Sequence, residues 1–184
     1  MRKFGSAVAA AALAGAALAG TAGSAAAAEN RDTSITSMTR VTSVGDQKSA
    51  AVQVSGANLH NVNSGKCLVV QGTANNSGAF QYDCGNFADQ YWTLVPNSSG
   101  TLFHLRNSNS GKCLVVQGTA NNSGGFQYDC LNFNDQLWAV YVDSASHLRF
   151  QNANSGKCLV VQGTANNSGA FQYDCLNYAD QLWW

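Results

Sequence analysis

The sequence predicts an all-β protein made of three near-identical, four-stranded units. The stretch GKCLVVQGTANNSG begins at Gly65 and recurs unchanged at Gly111 and Gly156. In each copy, two short segments rich in β-branched and aromatic residues flank a run of turn-forming residues, which is typical of a β-hairpin. Beyond the N-terminal apolar run, no segment has the pattern of a helix. Spacings of 46 and 45 residues between the copies indicate a repeat architecture.

Residues 1–28 are predicted to be a secretory signal peptide. Arg2 and Lys3 precede an apolar run from Ala7 to Gly23, and small residues continue to Ala28, where we expect cleavage. Glycine and threonine interrupt the run, and no later segment approaches the roughly 20 apolar residues of a membrane-spanning helix. The mature chain is therefore expected to be secreted and extracellular, without a membrane span.

Residues 29–49 are predicted to be a linker, because they are rich in Ser, Thr and Ala with scattered charge. The β domain is expected at 50–184, with units at about 57–99, 100–145 and 146–184. The first two units continue into a further strand after their Trp, whereas the third ends at Trp184. We expect Ala51–Val54 to supply that missing strand, since an open barrel edge would leave backbone groups unpaired.

Charge excludes nucleic acid as a partner. Without Arg2 and Lys3, eight basic residues face ten acidic ones, a formal charge of −2. A chain with this balance cannot assemble the basic patch that a phosphate backbone requires.

The six cysteines form three pairs, and the members of each pair are 17 residues apart. Six cysteines allow fifteen connectivities, but pairing within each unit is the simplest one that treats near-identical repeats alike. Secretion supplies the oxidising environment. No metal or cofactor is expected, because there is no Cys-x-x-Cys spacing and the three histidines are not at equivalent positions. The predicted disulfides are Cys67–Cys84, Cys113–Cys130 and Cys158–Cys175.

The cysteine pair also predicts the register of the hairpin formed by CLVVQ and AFQYDC. If Cys67 opposes Cys84, then Val69 opposes Tyr82 and shares its face with the disulfide. Leu68 and Val70 then lie on the opposite face, because side chains alternate along a strand. Three units of about four strands fit a β-trefoil, whereas a propeller usually needs more copies.

Three further motifs carry a resemblance to a known family. DQYW (Asp89–Trp92) recurs as DQLW at Asp135–Trp138 and Asp180–Trp183, always after SGKCL and the second cysteine. Over about residues 57–184 the chain resembles the ricin-B-type (R-type) lectins, which are β-trefoils marked by three Gln-x-Trp repeats. The resemblance implies that the three Trp residues of these motifs meet in the core near the three-fold axis.

The resemblance also implies a carbohydrate site in each unit. In members that bind sugar, an aromatic ring stacks on the apolar face of a pyranose, while a carboxylate and amides bond to its hydroxyls. The aromatic position lies two residues before the second cysteine, and the polar pair occupies the positions three and two residues before the Trp. The implied site residues are Tyr82, Asp89, Gln90, Tyr128, Asp135, Gln136, Tyr173, Asp180 and Gln181.

Two replacements depart from the family pattern. Val stands where the family has its main carboxylate, and Phe stands where it has a Gln, as at Val69 and Phe80 in the first unit. Losing a charged hydrogen bond costs about 1.5–3 kcal/mol. Either Asp89 replaces the lost carboxylate from the other side of a weak, multivalent site, or these repeated residues have structural roles. In the second case Asp89 caps a turn, Gln90 ties repeats together and Tyr82 covers the disulfide.

The sequence therefore predicts a secreted, non-catalytic carbohydrate-binding lectin with up to three weak sites. The alternative is a secreted protein-interaction trefoil, an inhibitor or adhesion module, whose Val69, Phe80 and Tyr82 face meets an apolar partner. A hydrolase is disfavoured, since no nucleophile–base pair recurs in the units.

Overall fold

The computed structural model describes residues 38–42 and 54–184, and these contain only β-strands and short 3-10 turns. The all-β class is confirmed. Within the described ranges, no helix has the length and apolar character needed to cross a membrane. The strands are β1 (Thr39–Arg40), β2 (Ala57–Asn58), β3 (Cys67–Val69), β4 (Phe80–Tyr82), β5 (Tyr91–Pro96), β6 (Phe103–Asn107), β7 (Cys113–Val115), β8 (Phe126–Tyr128), β9 (Trp138–Val142), β10 (Leu148–Asn152), β11 (Cys158–Val160) and β12 (Phe171–Tyr173). The 3-10 turns are Ala88–Gln90, Asn134–Gln136 and Ala179–Gln181.

A ring of antiparallel strands joins the three units. Strand β5 pairs along its length with β6, and β9 pairs with β10, so each closing strand leads into the next unit's opening strand. Opening and closing strands of one unit also pair, at Ala57↔Trp92 and Phe103↔Trp138. Trp183 bridges to both Leu148 and Asn61 and so connects the third unit back to the first. This is the closed arrangement of a β-trefoil.

The three Gln-x-Trp tryptophans are fully buried in one hydrophobic cluster, as the resemblance implied. The indole Nε1 of Trp92 donates to Leu68 O at 2.9 Å, and that of Trp138 donates to Leu114 O at 3.2 Å. Burying such large side chains stabilises the fold by roughly 3 kcal/mol each. The second valine of each CLVV stretch, such as Val70, belongs to the same cluster.

Three hairpins, β3–β4, β7–β8 and β11–β12, meet at the three-fold axis. Ala79 N donates to Gly125 O, Gly125 N to Ala170 O, and Ala170 N to Ala79 O, at 2.8–2.9 Å. A Cβ at Gly125 would lie 3.3 Å from Ala170 O, so the hairpins approach each other closely at this position. The loop that connects the two strands of each hairpin contains a left-handed residue, as at Asn76 (φ 67°), which Asn tolerates.

Buried glutamines tie each hairpin to a neighbouring unit. Gln81 Nε2 donates to Gly163 O and Ala165 O, both at 3.1 Å, and its Oε1 accepts from Ser64 Oγ at 2.6 Å. Gln127 reaches the first unit's turn in the same way, and Gln172 reaches the second unit's turn. Because these amides are fully buried, their bonds satisfy groups that would otherwise be costly to bury. Every unit is thereby connected to both others.

The predicted hairpin register is wrong by two residues. Cys67 opposes Tyr82 and Val69 opposes Phe80, instead of Cys84 and Tyr82. Strand β4 ends at Tyr82, and Cys84 reaches back diagonally to Cys67, with 5.1 Å between their Cα atoms. A shift by an even number of residues preserves the faces, so Leu68 still lies on the core side, as expected.

The predicted linker is wrong at residues 38–42. Strand β1 pairs with β9 at Thr39↔Val142 and Arg40↔Tyr141, and Met38 and Val41 are buried. Burial of these two apolar residues on either side of β1, together with the backbone pairing to β9, explains why this short polar segment forms a strand.

The predicted closing strand is described only at its last residue. Val54 O accepts from Leu94 N at 2.9 Å, so Val54 extends the first unit's opening strand along β5. Residues 51–53, most of the linker and the predicted signal peptide lie outside the described residues.

Candidate functional site

A pocket of about 320 Å³ opens beside the first hairpin, where the chain leaves β4 and turns towards β5. It contains all three residues that the resemblance implied for the first unit. The lining is Val69, Gln71, Tyr82, Asp83, Cys84, Gly85, Phe87, Asp89 and Gln90.

The disulfides fix the start of the pocket loop. All three join cysteines of the same unit, as predicted, with Cα–Cα distances of 5.0–5.1 Å. In the first unit, the loop from Asp83 to Gln90 therefore begins at a covalent anchor on β3.

Gln90 fixes the other end of this loop. Its Oε1 accepts from Gly85 N at 2.7 Å, and its Nε2 donates to Asp83 O at 2.9 Å. Gln136 and Gln181 repeat both contacts at 2.7–3.0 Å, and all three side chains are buried. Both ends of the amide are used inside one unit, so this Gln shapes the loop and does not tie repeats together.

Asp89 presents an unsatisfied carboxylate oxygen. Its Oδ1 is buried and has no hydrogen-bond partner, and the same holds for Asp135 and Asp180. No side chain caps the 3-10 turn, so no contact supports the interpretation that Asp89 caps it. Burial raises the pKa of the Asp180 carboxyl. A buried oxygen without a partner is costly, and its recurrence in every unit marks a site that a ligand could complete.

Two aromatic side chains line the pocket. Tyr82 is 39% exposed and lies next to the disulfide, while Phe87 is 64% exposed at the rim. The positions equivalent to Phe87 are also exposed, at Phe133 (63%) and Tyr178 (61%). Sequence reasoning missed these three residues. The sequence could have indicated them, because an aromatic residue recurs at the same loop position of every unit, where no strand pattern requires one.

Opposite Asp89, the pocket wall is apolar. Val69 is 1% exposed and pairs across the hairpin with Phe80. The Val69 side chain can form no hydrogen bond with a ligand, so polar recognition in this pocket falls to Asp89 and to the exposed Gln71, which also lines it.

The other pocket carboxylate, Asp83, is already paired. Its Oδ1 forms an ion pair with Lys66 Nζ, and its Oδ2 accepts from Asn166 Nδ2 of the third unit at 2.8 Å. The Lys66 hydrogen bond, followed by that of Asn166, holds the pKa of Asp83 below its usual range. Equivalent clusters form at Asp129 and at Asp174.

The pocket loop of the first unit differs from the equivalent loops of the other two at Gly85, which forms the floor of the pocket. A Cβ on Gly85 would lie 2.6 Å from the Phe87 ring, so that ring lies over the glycine. The second and third units have Leu131 and Leu176 there. Their aromatic neighbours therefore cannot take the same position relative to the floor.

The histidines do not form a metal site among the described residues. His60 Nδ1 lies 3.2 Å from Cys84 Sγ, but that sulfur is bonded to Cys67 and is not available as a thiolate. The His60 ring instead stacks on Trp184, with centroids 4.0 Å apart. His147 pairs with Asp143 at 3.0 Å.

The β-trefoil fold, with the same loop scaffold in every unit, is the arrangement of a lectin-type trefoil, and sequence models agree. One model, described as ricin-type β-trefoil lectin domain-like, matches residues 50–127, and another, the ricin-type β-trefoil lectin domain, matches residues 101–184. Together they span the whole trefoil. The chain belongs to the ricin-type β-trefoil lectin family. Membership of this family indicates a carbohydrate-binding trefoil.

Solved structures share this fold. The designed three-fold symmetric protein ThreeFoil is 27% identical, with a TM-score of 0.65 over 68% of this chain and 94% of that chain. The hemolytic lectin CEL-III is also 27% identical, with a TM-score of 0.58 over 69% of this chain and 29% of that chain. The agglutinin of Rhizoctonia solani, 18% identical, has a TM-score of 0.62 over 68% of this chain and 89% of that chain, and shows the fold alone. No curated protein matches the chain in sequence.

Proposed function

We propose that this protein is a secreted, non-catalytic lectin that binds carbohydrate through one pocket in each unit. The observation that carries the proposal is the buried, unpartnered Oδ1 of Asp89, Asp135 and Asp180, which recurs beside exposed aromatic rings. Sugars combine an apolar ring face with hydroxyl donors, and this pocket offers a surface for each.

In the first unit, Tyr82 and Phe87 provide the surfaces on which a pyranose face stacks. A sugar hydroxyl donates to the Asp89 carboxylate, and this charge-assisted bond is stronger than one to a neutral acceptor. Gln90 acts as a positioning residue, because its amide holds the loop that carries Phe87 and Asp89. Val69 provides no second carboxylate, which makes each site weak and favours multivalent ligands.

The charges in the pocket support the non-catalytic part of the proposal. Glycoside hydrolysis ordinarily needs two carboxyl groups on either side of the bond that is cleaved. In the first pocket, Asp83 is held by Lys66 and Asn166, which leaves Asp89 as the available carboxylate among the lining residues. The three disulfides support secretion, because such bonds persist in oxidising compartments.

The experiment replaces Tyr82, Tyr128 and Tyr173 together with Ala and measures retention on the polysaccharides that hold the wild type. We expect retention to be lost and the melting temperature to change little. The control is Trp184→Ala, which removes an exposed aromatic outside the first pocket and should keep full retention. Unchanged retention of the triple variant would refute the proposed site. A large drop in melting temperature would instead indicate that the tyrosines mainly cover the disulfides.

A further inference from the structure

The first pocket combines aromatic surfaces with negative charge and has no basic side chain in its lining. Lys66, the cation of the neighbouring cluster, is paired with Asp83. Asp89 has no ion pair within the described ranges, and its Oδ1 also lacks a hydrogen bond. The electrostatic character of the pocket lining therefore favours a positively charged ligand group.

Two physical effects act in the same direction. The faces of Tyr and Phe rings carry negative electrostatic potential and attract a cation placed within about 6 Å of the ring centre. A partly buried carboxylate attracts a cation more strongly than an exposed one does, because less water screens the charges. A neutral hydroxyl gains neither effect in full. Val69 in the same lining adds apolar contact with a sugar ring and no competing charge.

We propose that these pockets prefer sugars that carry a free amine, so that the ammonium group lies between Asp89 and the rings of Tyr82 and Phe87. The ligand class is a 2-amino-2-deoxypyranose unit, such as those in partly deacetylated chitin. This inference rests on the proposed lectin function and specifies its ligand.

The repeats extend the preference to polymers. Asp135 lies in the second unit with the exposed Phe133, and Asp180 lies in the third unit with the exposed Tyr178. A polymer with many amines can occupy more than one pocket, which raises its apparent affinity without any new contact.

Calorimetry with two matched oligosaccharides tests the preference. One is a glucosamine oligomer with free amines, and the other is its fully N-acetylated counterpart of equal length. We expect the free-amine oligomer to bind about tenfold more tightly or better, the range of one charge-assisted contact. Added salt should reduce this difference.

The matched variant replaces Asp89, Asp135 and Asp180 with Asn, which keeps the side-chain shape and removes the charge. We expect affinity for the free-amine oligomer to fall about tenfold. Affinity for the acetylated oligomer should fall clearly less, because the Asn oxygen still accepts a hydroxyl hydrogen bond and only the charge is lost. A second variant, Asp143→Asn, removes a charge outside the first pocket and should bind both ligands as the wild type does. Circular dichroism and melting curves verify that each variant folds.

The possible outcomes separate the inference from the proposed function. Equal binding of both oligomers, unaffected by the triple Asn variant, would overturn the amine preference and leave the lectin function standing. A similar loss in Asp143→Asn would also overturn it, because long-range charge would then explain the effect. If neither oligomer binds, the amine preference is wrong. If in addition no glycan on an array binds, the lectin function is wrong too.

Discussion

The first and second units share almost every scaffolding contact but differ in their pockets. The Gln that closes the pocket loop makes the same two bonds in both units, at 2.7 and 2.9 Å in the first and at 2.7 and 3.0 Å in the second. The units differ at the pocket floor, where Gly85 corresponds to Leu131. The repeated residues therefore maintain the fold, while the residue at the pocket floor varies between the units.

The largest effect should come from removing a disulfide. Replacing Cys67 and Cys84 with Ala, or Cys113 and Cys130 with Ala, should lower the free energy of unfolding by roughly 3 kcal/mol, since each bond closes a loop of similar length. Urea denaturation measures the loss. If the two double replacements lowered the free energy of unfolding by clearly different amounts, the scaffolds of the two units would not be equivalent.

The next effect concerns the buried glutamines between units. Gln81→Leu removes the donor to Gly163 O and Ala165 O, and Gln127→Leu does the same to the first unit's turn. Each should cost about 1–3 kcal/mol, because a buried polar group loses its partner. The control Gln117→Leu changes an exposed Gln and should stay within about 0.5 kcal/mol of the wild type. Losses no greater than this control would contradict the role of the glutamines.

Replacing Gly85, at the floor of the first pocket, should change the affinity for a saccharide more than the free energy of unfolding. Gly85→Leu places a side chain where the Phe87 ring lies, and the exposed ring can move away at little cost. We expect the first site's affinity for a bound saccharide to change by a factor of about 3–10, or roughly 1 kcal/mol, towards that of the second site. Site-resolved NMR titration measures it, and Leu131→Gly should produce the opposite change. An unaltered first site would show that the floor does not distinguish the pockets.

The smallest effect should be the pH dependence of the exposed ion pairs. The pKa values of Asp83 and Asp129 are lowered in the folded state, first by their Lys partners. Their contribution is therefore fully present above the ordinary value of 3.8 and is lost as the pH falls through the lowered pKa. Melting temperatures measured down to that range should show a small decrease, which Lys66→Met should weaken. A larger stabilisation of the wild type in acid would contradict this sign.

The fold was predictable because its determinants are local and repeated. The three copies, the spacing of the cysteines and the Gln-x-Trp motifs indicated the trefoil and the disulfides. The register of the hairpin was not predictable from the cysteines, since a disulfide also fits the diagonal geometry between Cys67 and Cys84. Strand β1 was missed because its two residues, Thr39 and Arg40, owe their conformation to the edge of β9.

The site was only partly predictable. The resemblance brought Tyr82, Asp89 and Gln90 to one pocket, but it could not show that the Gln90 amide is used within the loop. The exposure of Phe87 and the missing partner of Asp89 Oδ1 depend on how the loop folds between the disulfide and the 3-10 turn. Sequence patterns report burial periodicity and do not report which polar atoms remain unpaired.

The most direct measurement is an NMR titration of the 15N-labelled protein with the saccharide that gives the strongest signal on a glycan array. If the pocket loops bind carbohydrate, the NMR signals of the amides from Tyr82 to Gln90 should shift in a saturable way. The amides at the equivalent positions of the other units should do the same. Shifts confined to another surface, such as the groove lined by Thr93 and Arg106, would contradict the account. So would the absence of any bound glycan on the array.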